Sequence, residues 1–153
     1  MEIERKFRFS SLPEGSENCF HTLIEQGYLC TAPVVRVRRD GEKYYLTYKS
    51  GGLMTREEYN LPLTAEAYGH LIAKADGRII TKTRWRIPIE GGLTAEADVF
   101  SGEFEGLKVV EVEFADEESA NAFTPPAWFG EELTFDGRFH NSYLSSAPTL
   151  DFL

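Results

Sequence analysis

Glu2-Ile3-Glu4-Arg5-Lys6-Phe7-Arg8-Phe9 alternates between two kinds of side chain from one residue to the next. Successive side chains of an extended strand point to opposite faces. Glu2, Glu4, Lys6 and Arg8 therefore share one face, and Ile3, Arg5, Phe7 and Phe9 the other. The pattern recurs down the chain. Val34–Arg39 sets Arg36 and Arg38 against Val35 and Val37, and Lys43–Lys49 sets Tyr45, Thr47 and Lys49 against Tyr44, Leu46 and Tyr48. Thr55–Leu61 carries Arg56, Glu58 and Asn60 on one face, and Arg78–Ile89 sets Lys82, Arg84 and Arg86 against Thr83, Trp85 and Ile87. Thr94–Phe100 sets Glu96 and Asp98 against Ala97 and Val99, and Lys108–Phe114 sets Glu111 and Glu113 against Val110, Val112 and Phe114. An eighth strand is expected from Tyr28–Thr31 or from the Leu133–Phe135 region.

Turns and helices punctuate these strands. Asp40-Gly41 is a tight hairpin signal, and Gly51-Gly52 and Gly91-Gly92 mark further turns. Glu14–Gln26, stopped by Gly27, reads as a helix, as does Ala65–Ala75 behind the N-cap Thr64 and ahead of Gly77. Asp116–Ala122 reads as a short acidic helix, and Asn141–Ser145 as a last turn. No repeat or linker divides the chain, so residues 1–153 form one domain of the α+β class.

Taken singly, each strand could be the wet face of an ordinary antiparallel sheet. Two features oppose that across the set. The charges are segregated, with some strands offering only Arg and Lys and others only Glu and Asp. The opposite face is rich in Val, Leu, Trp, Tyr and Phe, as though helices cover it. The core then lies outside the sheet and the charges within its curve. Such an interior holds water, because burying unpaired charges costs several kcal/mol per ion, on the order of the desolvation penalty left after relaxation. Arg and Lys suit phosphate oxygens, and clustered carboxylates suit hard cations such as magnesium or manganese. A polyphosphate carrying divalent metal needs both sets. Alternation alone leaves closure of the sheet open.

The net charge of -9 disfavours a nucleic-acid surface. No apolar run reaches the roughly 18 residues of a membrane span, and the charged start, MEIERKF, is unlike a signal peptide. Cys19 and Cys30 lack metal-ligand spacing and read as free thiols of a cytoplasmic protein. His21 and His70, on expected helices, and His140 need no catalytic role. Trp85 and Trp128 read as packing residues.

The N-terminal E-x-E-x-K at Glu2–Lys6 is followed in order by VRVRR, YYLTYKS, TREEYNLPL, KTRWRIP, AEADVFSGEFEGL, VVEVEF and FDGRFHNSYL. This series resembles the CYTH superfamily, the triphosphate tunnel metalloenzymes, from residue 2 to about residue 144. The resemblance implies an eight-stranded antiparallel closed β-barrel, the triphosphate tunnel, with peripheral helices. It implies that Arg36, Arg38, Lys49, Lys82 and Arg84 contact a triphosphate, and that Lys6 and Arg56 line the tunnel to bind substrate or hold carboxylates. Glu2, Glu4, Asp98, Glu111 and Glu113 are implied to serve magnesium or manganese ions, directly or through water. Glu4, Lys6 and Glu113 are the expected catalytic set, and Glu58 and Glu96 match lining positions. Asn60 departs from the pattern, standing where relatives often carry glutamate, and the C-terminal match around Arg138 is looser. The expected activity is metal-dependent hydrolysis of a small-molecule triphosphate, foremost inorganic tripolyphosphate, with no nucleic-acid or membrane partner and a homodimer left open. Alternatives on the same scaffold are a thiamine or nucleoside triphosphatase, a class IV adenylate cyclase making cyclic AMP from ATP, and a non-catalytic polyphosphate-binding module.

Overall fold

The computed structural model describes residues 1–153. Ten strands and three α-helices follow one another as β1 Glu2–Phe9, β2 His21–Thr31, β3 Val34–Asp40, β4 Lys43–Lys49, β5 Thr55–Arg56, β6 Glu58–Pro62, α1 Ala65–Ile72, β7 Asp76–Ile89, β8 Leu93–Phe100, β9 Lys108–Glu113, α2 Glu117–Ala122, β10 Phe129–Glu132 and α3 Asn141–Ser146. All strand pairs are antiparallel, in the order β10-β1-β9-β8-β7-β2-β3-β4-β6, with β5 returning to β1.

That return closes the barrel. β5 and β6 are two pieces of the expected Thr55–Leu61 strand, interrupted at Glu57, whose N–H donates to Ser50 Oγ and whose carbonyl accepts from Ser50 N. β6 pairs β4 through Lys49↔Glu58, while β5 pairs β1 through Glu2↔Arg56. Counting β5 and β6 as one gives the eight-stranded circuit; β10 adds a flap on the far half of β1. Closure leaves the circuit no unpaired edge.

One expectation fails. Glu14–Gln26 is not a helix: only Ser16–Asn18 makes a short 3-10 turn, and β2 begins at His21. Gly27 is no helix stop. A Cβ there would lie 2.7 Å from Ala75 Cβ and from Ile72 Cδ1, so glycine lets α1 lie tightly on β2. His21 accordingly sits in a strand, stacked on Trp85 at 3.9 Å. The expected eighth strand is β2, which contains Tyr28–Thr31, while Leu133 just follows β10. The other helices form near their expected places. Thr64 Oγ1 caps α1 by accepting from Ala67 N at 3.0 Å, and Asp116 caps α2 by accepting from Ser119 N at 2.7 Å. α1 stops at Ile72, and Gly77 lies inside β7, where its left-handed φ of 68° admits the Ser145 carbonyl of α3.

The main core is outside the barrel, as the alternation requires. Phe7, Ala97, Val110 and Val112, from the outward faces of β1, β8 and β9, pack with Ala120 of α2 and Phe129 of β10. A second cluster fills one end of the barrel. Tyr28, Val34, Ile80, Phe100 and Val109 occupy inward positions there, and Phe139 and Leu144 of the C-terminal segment pack on them. No helix is long and apolar enough to cross a membrane.

Candidate active site

The other part of the barrel encloses a cavity of about 380 Å³. Of its 22 lining residues only three are hydrophobic, while eight are Lys or Arg and seven are Asp or Glu. Strand alternation delivers them. β1 contributes Glu2, Glu4 and Lys6, β3 contributes Arg36 and Arg38, and β4 contributes Lys49. Arg56, Glu58 and Asn60 come from the split strand, Lys82 and Arg84 from β7, Glu96 from β8, and Glu111 and Glu113 from β9. The structure thus brings together every expected site residue except Asp98 on one cavity surface. Asp98 stands behind that surface, only 1% exposed. Its two oxygens accept from Arg84 at 2.8 and 3.0 Å, and Lys82 Nζ lies 2.8 Å from one of them.

The pairing of charges is uneven. Lys49 Nζ bridges Glu2 at 2.9 Å and Glu58 at 3.2 Å, Lys6 lies 3.5 Å from Glu111, and Arg56 lies 3.9 Å from both Glu2 and Glu4. Arg84 reaches Glu96 at 3.4 Å besides Asp98. Arg36 and Arg38 have no carboxylate within ion-pair distance. Arg36 donates to Thr47 Oγ1 at 3.0 Å, and its Nε is the one buried side-chain nitrogen or oxygen without a partner. Burial, then the neighbouring Arg38 charge, holds the Arg36 guanidinium below its ordinary value. The β3 wall is therefore an uncompensated cationic surface.

Across the cavity the carboxylates crowd one another. Burial, then the charges of Glu111 and Glu2, raises the Glu4 carboxyl well above its usual range. Burial and the hydrogen bond shared with Glu58 push Glu2 up to about 7. For Glu58 burial acts in the opposite sense, but Glu2 and Lys49 hold it down to about 2. Burial also raises Glu113, aided by Glu58 and Glu96. Glu111 is held well below its range despite burial, chiefly by Lys6 and Arg84. Lys82 is pushed down to about 7 by burial, against the pull of Asp98.

Several residues in or beside the cavity escape the expected set, among them Arg86, Asp40, His140 and Asn141 in its lining and Gln26 just behind it. Arg86 and Asp40 form a 3.0 Å ion pair, and both bond the Thr22 hydroxyl, with Thr22 donating to Asp40 and accepting from Arg86. Alternation already puts Arg86 on the face of Lys82 and Arg84, and extending it two residues past Arg38 finds Asp40. Gln26, which lies inside the barrel, and His140 and Asn141, which line its floor, carry no charge signal and sit where sequence reads as helix or turn. The His140 imidazole is pushed down to about 4 by burial and then by Lys6 and Arg56, so it is neutral at pH 7.

The magnesium or manganese that the CYTH resemblance implies would need oxygen donors. No three of the carboxylates converge on one point in the free chain; Glu2, Glu4 and Glu111 are each tied to a cation instead, and Glu113 has none within ion-pair distance. Their chemistry nevertheless fits a hard divalent ion. Glu2, Glu4, Glu111 and Glu113 are oxygen donors on adjacent strands, and the raised Glu2, Glu4 and Glu113 record repulsion and desolvation that a cation relieves.

Comparison with known proteins agrees with this geometry. The CYTH domain profile matches residues 1–148. An inorganic triphosphatase of Nitrosomonas europaea is 40% identical over 148 residues, covering 94% of this chain and 96% of that protein. One of Acetivibrio thermocellus is 38% identical over 161 residues, covering 99% and 97%. The fold matches a crystal structure of an inorganic triphosphatase with a TM-score of 0.71 and 38% identity, covering 95% of this chain and 94% of that one. A putative adenylyl cyclase from Hippeastrum, described as having a dominant triphosphatase activity, shares the fold at a TM-score of 0.56 and 16% identity, covering 79% and 83%. With a closed barrel, charges on its inner face and a profile match over nearly its whole length, the chain belongs to the CYTH domain family.

Proposed function

We propose that this protein is a divalent-metal-dependent inorganic triphosphatase. The observation that carries the reading is the charge balance of the cavity. Eight cations face seven carboxylates, with Asp98 behind them, so the site is nearly neutral overall, yet Arg36 and Arg38 form an unpaired cationic wall on β3 while Glu2, Glu4, Glu111 and Glu113 form an acidic one on β1 and β9. A bare polyanion would suit an all-basic pocket better. A triphosphate accompanied by magnesium or manganese presents both signs of charge, matching both walls. The small polar cavity, with Tyr28, Val34 and Tyr45 as its only hydrophobic lining residues, favours inorganic tripolyphosphate over substrates bearing a base or a thiamine ring.

In this reading Arg36 and Arg38 anchor the phosphate oxygens, being the cations with no competing carboxylate. Lys82 and Arg84, fixed from behind by Asp98, complete the grip with Lys49 and Arg56. Glu2, Glu4, Glu111 and Glu113 would hold the metal, which when bound supplies Lewis-acid polarisation of phosphate oxygens and a lowered pKa for bound water. Glu4 and Glu113 face each other in register on β1 and β9, where they can take up the proton of an attacking water. Water adds to the terminal phosphorus, the phosphoanhydride bond breaks, and orthophosphate and pyrophosphate result. Lys6, in register with Glu111, neutralises charge on the departing oxygen.

The test is incubation of the purified protein with tripolyphosphate, ATP or thiamine triphosphate, each with magnesium or manganese, followed by assay of phosphate and cyclic AMP. Phosphate released from tripolyphosphate, lost in Glu4→Gln and Glu113→Gln and weakened in affinity by Arg38→Ala, is the expected result. Undiminished turnover after exhaustive EDTA treatment would sink the metal requirement. Cyclic AMP from ATP would assign a cyclase, and binding without turnover a non-catalytic module.

A further inference from the structure

Two neutral amides link the triphosphate-binding cations to the C-terminal segment. Gln26 is fully buried on β2. Its Oε1 accepts from Arg38 Nε at 2.7 Å, and its Nε2 donates to Asn141 Oδ1 at 3.0 Å and to the Tyr28 hydroxyl at 3.3 Å. The same Asn141 oxygen accepts from Lys82 Nζ at 2.9 Å. A hydrogen-bonded chain thus runs from Arg38 through Gln26, Asn141 and Lys82 to Asp98 and Arg84, joining β3, β2, α3, β7 and β8. Two residues before Asn141, the Phe139 carbonyl accepts from Lys6 Nζ at 3.0 Å. The segment is anchored below by Leu144, fully buried in the cluster that fills the barrel end.

We propose that Gln26 and Asn141 are positioning residues for the phosphate-binding cations, and that α3 is thereby a working part of the site. This rests on the triphosphatase reading. The physical reason lies in their neutrality. Lys82 already has Asp98 at 2.8 Å, and Asn141 holds a second of its protons; Arg38 has no carboxylate within ion-pair distance and needs an acceptor to fix its direction. A carboxylate would supply it but would compete with phosphate for the same cation, whereas an amide oxygen orients the cation and leaves its charge available. Gln26 and Asn141 also satisfy each other, so neither amide is left without a partner in the barrel.

The experiment measures tripolyphosphate affinity by calorimetry, with magnesium and separately with EDTA, alongside steady-state kinetics and thermal melting. Asn141→Ala and Gln26→Ala should each weaken affinity about tenfold, on the scale of one hydrogen bond to a charged group. KM should rise by more than kcat falls. Asn141→Asp keeps the shape and the acceptor but adds a negative charge beside Lys82; it should remain folded and weaken affinity about a hundredfold. The double alanine variant should lose less than the product of the two single losses, because both residues act in one chain. Wild-type affinity in Asn141→Asp, or independent losses in the double variant, would overturn the proposal. Wild-type protein that neither binds nor cleaves tripolyphosphate overturns the functional reading itself and the proposal with it. Normal wild-type binding with unaffected variants overturns the proposal alone.

Discussion

Replacing Arg36 by methionine should make the ligand-free protein more stable and the site nearly useless. Arg36 is 6% exposed, has no carboxylate partner and leaves Nε unbonded. Desolvating such a charge costs several kcal/mol, on the order of the penalty that ion pairing fails to recover even for paired buried ions. Against that stands one hydrogen bond to Thr47, worth about 1.5–3 kcal/mol for a charged donor. Thr47 is not orphaned by the change, since its hydroxyl still donates to Asn60 Oδ1 at 2.6 Å. Methionine fills similar space without charge and removes the repulsion from Arg38. The balance is a gain of about 1–3 kcal/mol, or roughly 2–10 °C in melting temperature for a domain of this size. The anion loses a buried cation, which costs about 2–5 kcal/mol, or roughly thirtyfold to several thousandfold in affinity. Thermal melting without ligand and calorimetry with tripolyphosphate read the two effects separately. A melting temperature that falls in Arg36→Met, or an affinity within threefold of wild type, would refute the idea that Arg36 is held in strained reserve for the substrate.

Asp98→Asn removes the one carboxylate within ion-pair distance of Lys82 and the two-bonded partner of Arg84, which keeps only Glu96 at 3.4 Å, so stability should drop by about 3–5 kcal/mol. Denaturant unfolding checks this, and an unchanged midpoint would show that the two cations find other partners. Glu2 sits at about 7 when folded against an ordinary 4.5, so folding takes up a proton. Its contribution is fully present below about pH 4.5 and is lost as pH rises through about 7. The melting temperature of wild type minus that of Glu2→Gln should therefore fall between pH 5 and pH 8, and a flat difference would contradict the assignment. Gly27→Val would press on Ala75 and Ile72 under α1 and should destabilise by about 1–3 kcal/mol. Its tripolyphosphate affinity, measured where the variant is folded, should stay near wild type.

Most of the site was legible because charge and strand period coincide. Arg36 and Arg38, or Glu111 and Glu113, declare an inward face on any extended segment. β2 was illegible for the same reason. Its inward residues Thr22, Ile24, Gln26 and Tyr28 are uncharged, while Glu14, Glu17 and Glu25 ahead of Gly27 imitate a helix and its stop. Closing the barrel depends on the break at Glu57, which no turn residue announces, since the bonds to Ser50 that shape it arise only on folding. The same holds for Asn141, whose value comes from meeting Gln26 and Lys82 across more than fifty residues of chain. Asp98 shows the complementary limit. Its type and face were readable, but not that Arg84 and Lys82 would take both of its oxygens.

The pairing of β1 with β9 sets a timetable for synthesis. Lys6 finds its strand neighbour Glu111 only after more than a hundred further residues have been joined, and Phe7 meets Glu132 later still. At about 5–20 residues per second the first strand waits roughly 5–25 s for its main partner. Throughout that interval its alternate charges keep it soluble, a second service from the side chains that later line the cavity. The barrel should thus fold in one late step rather than strand by strand, and force measurements on arrested nascent chains should show a single transition, after β9 has emerged.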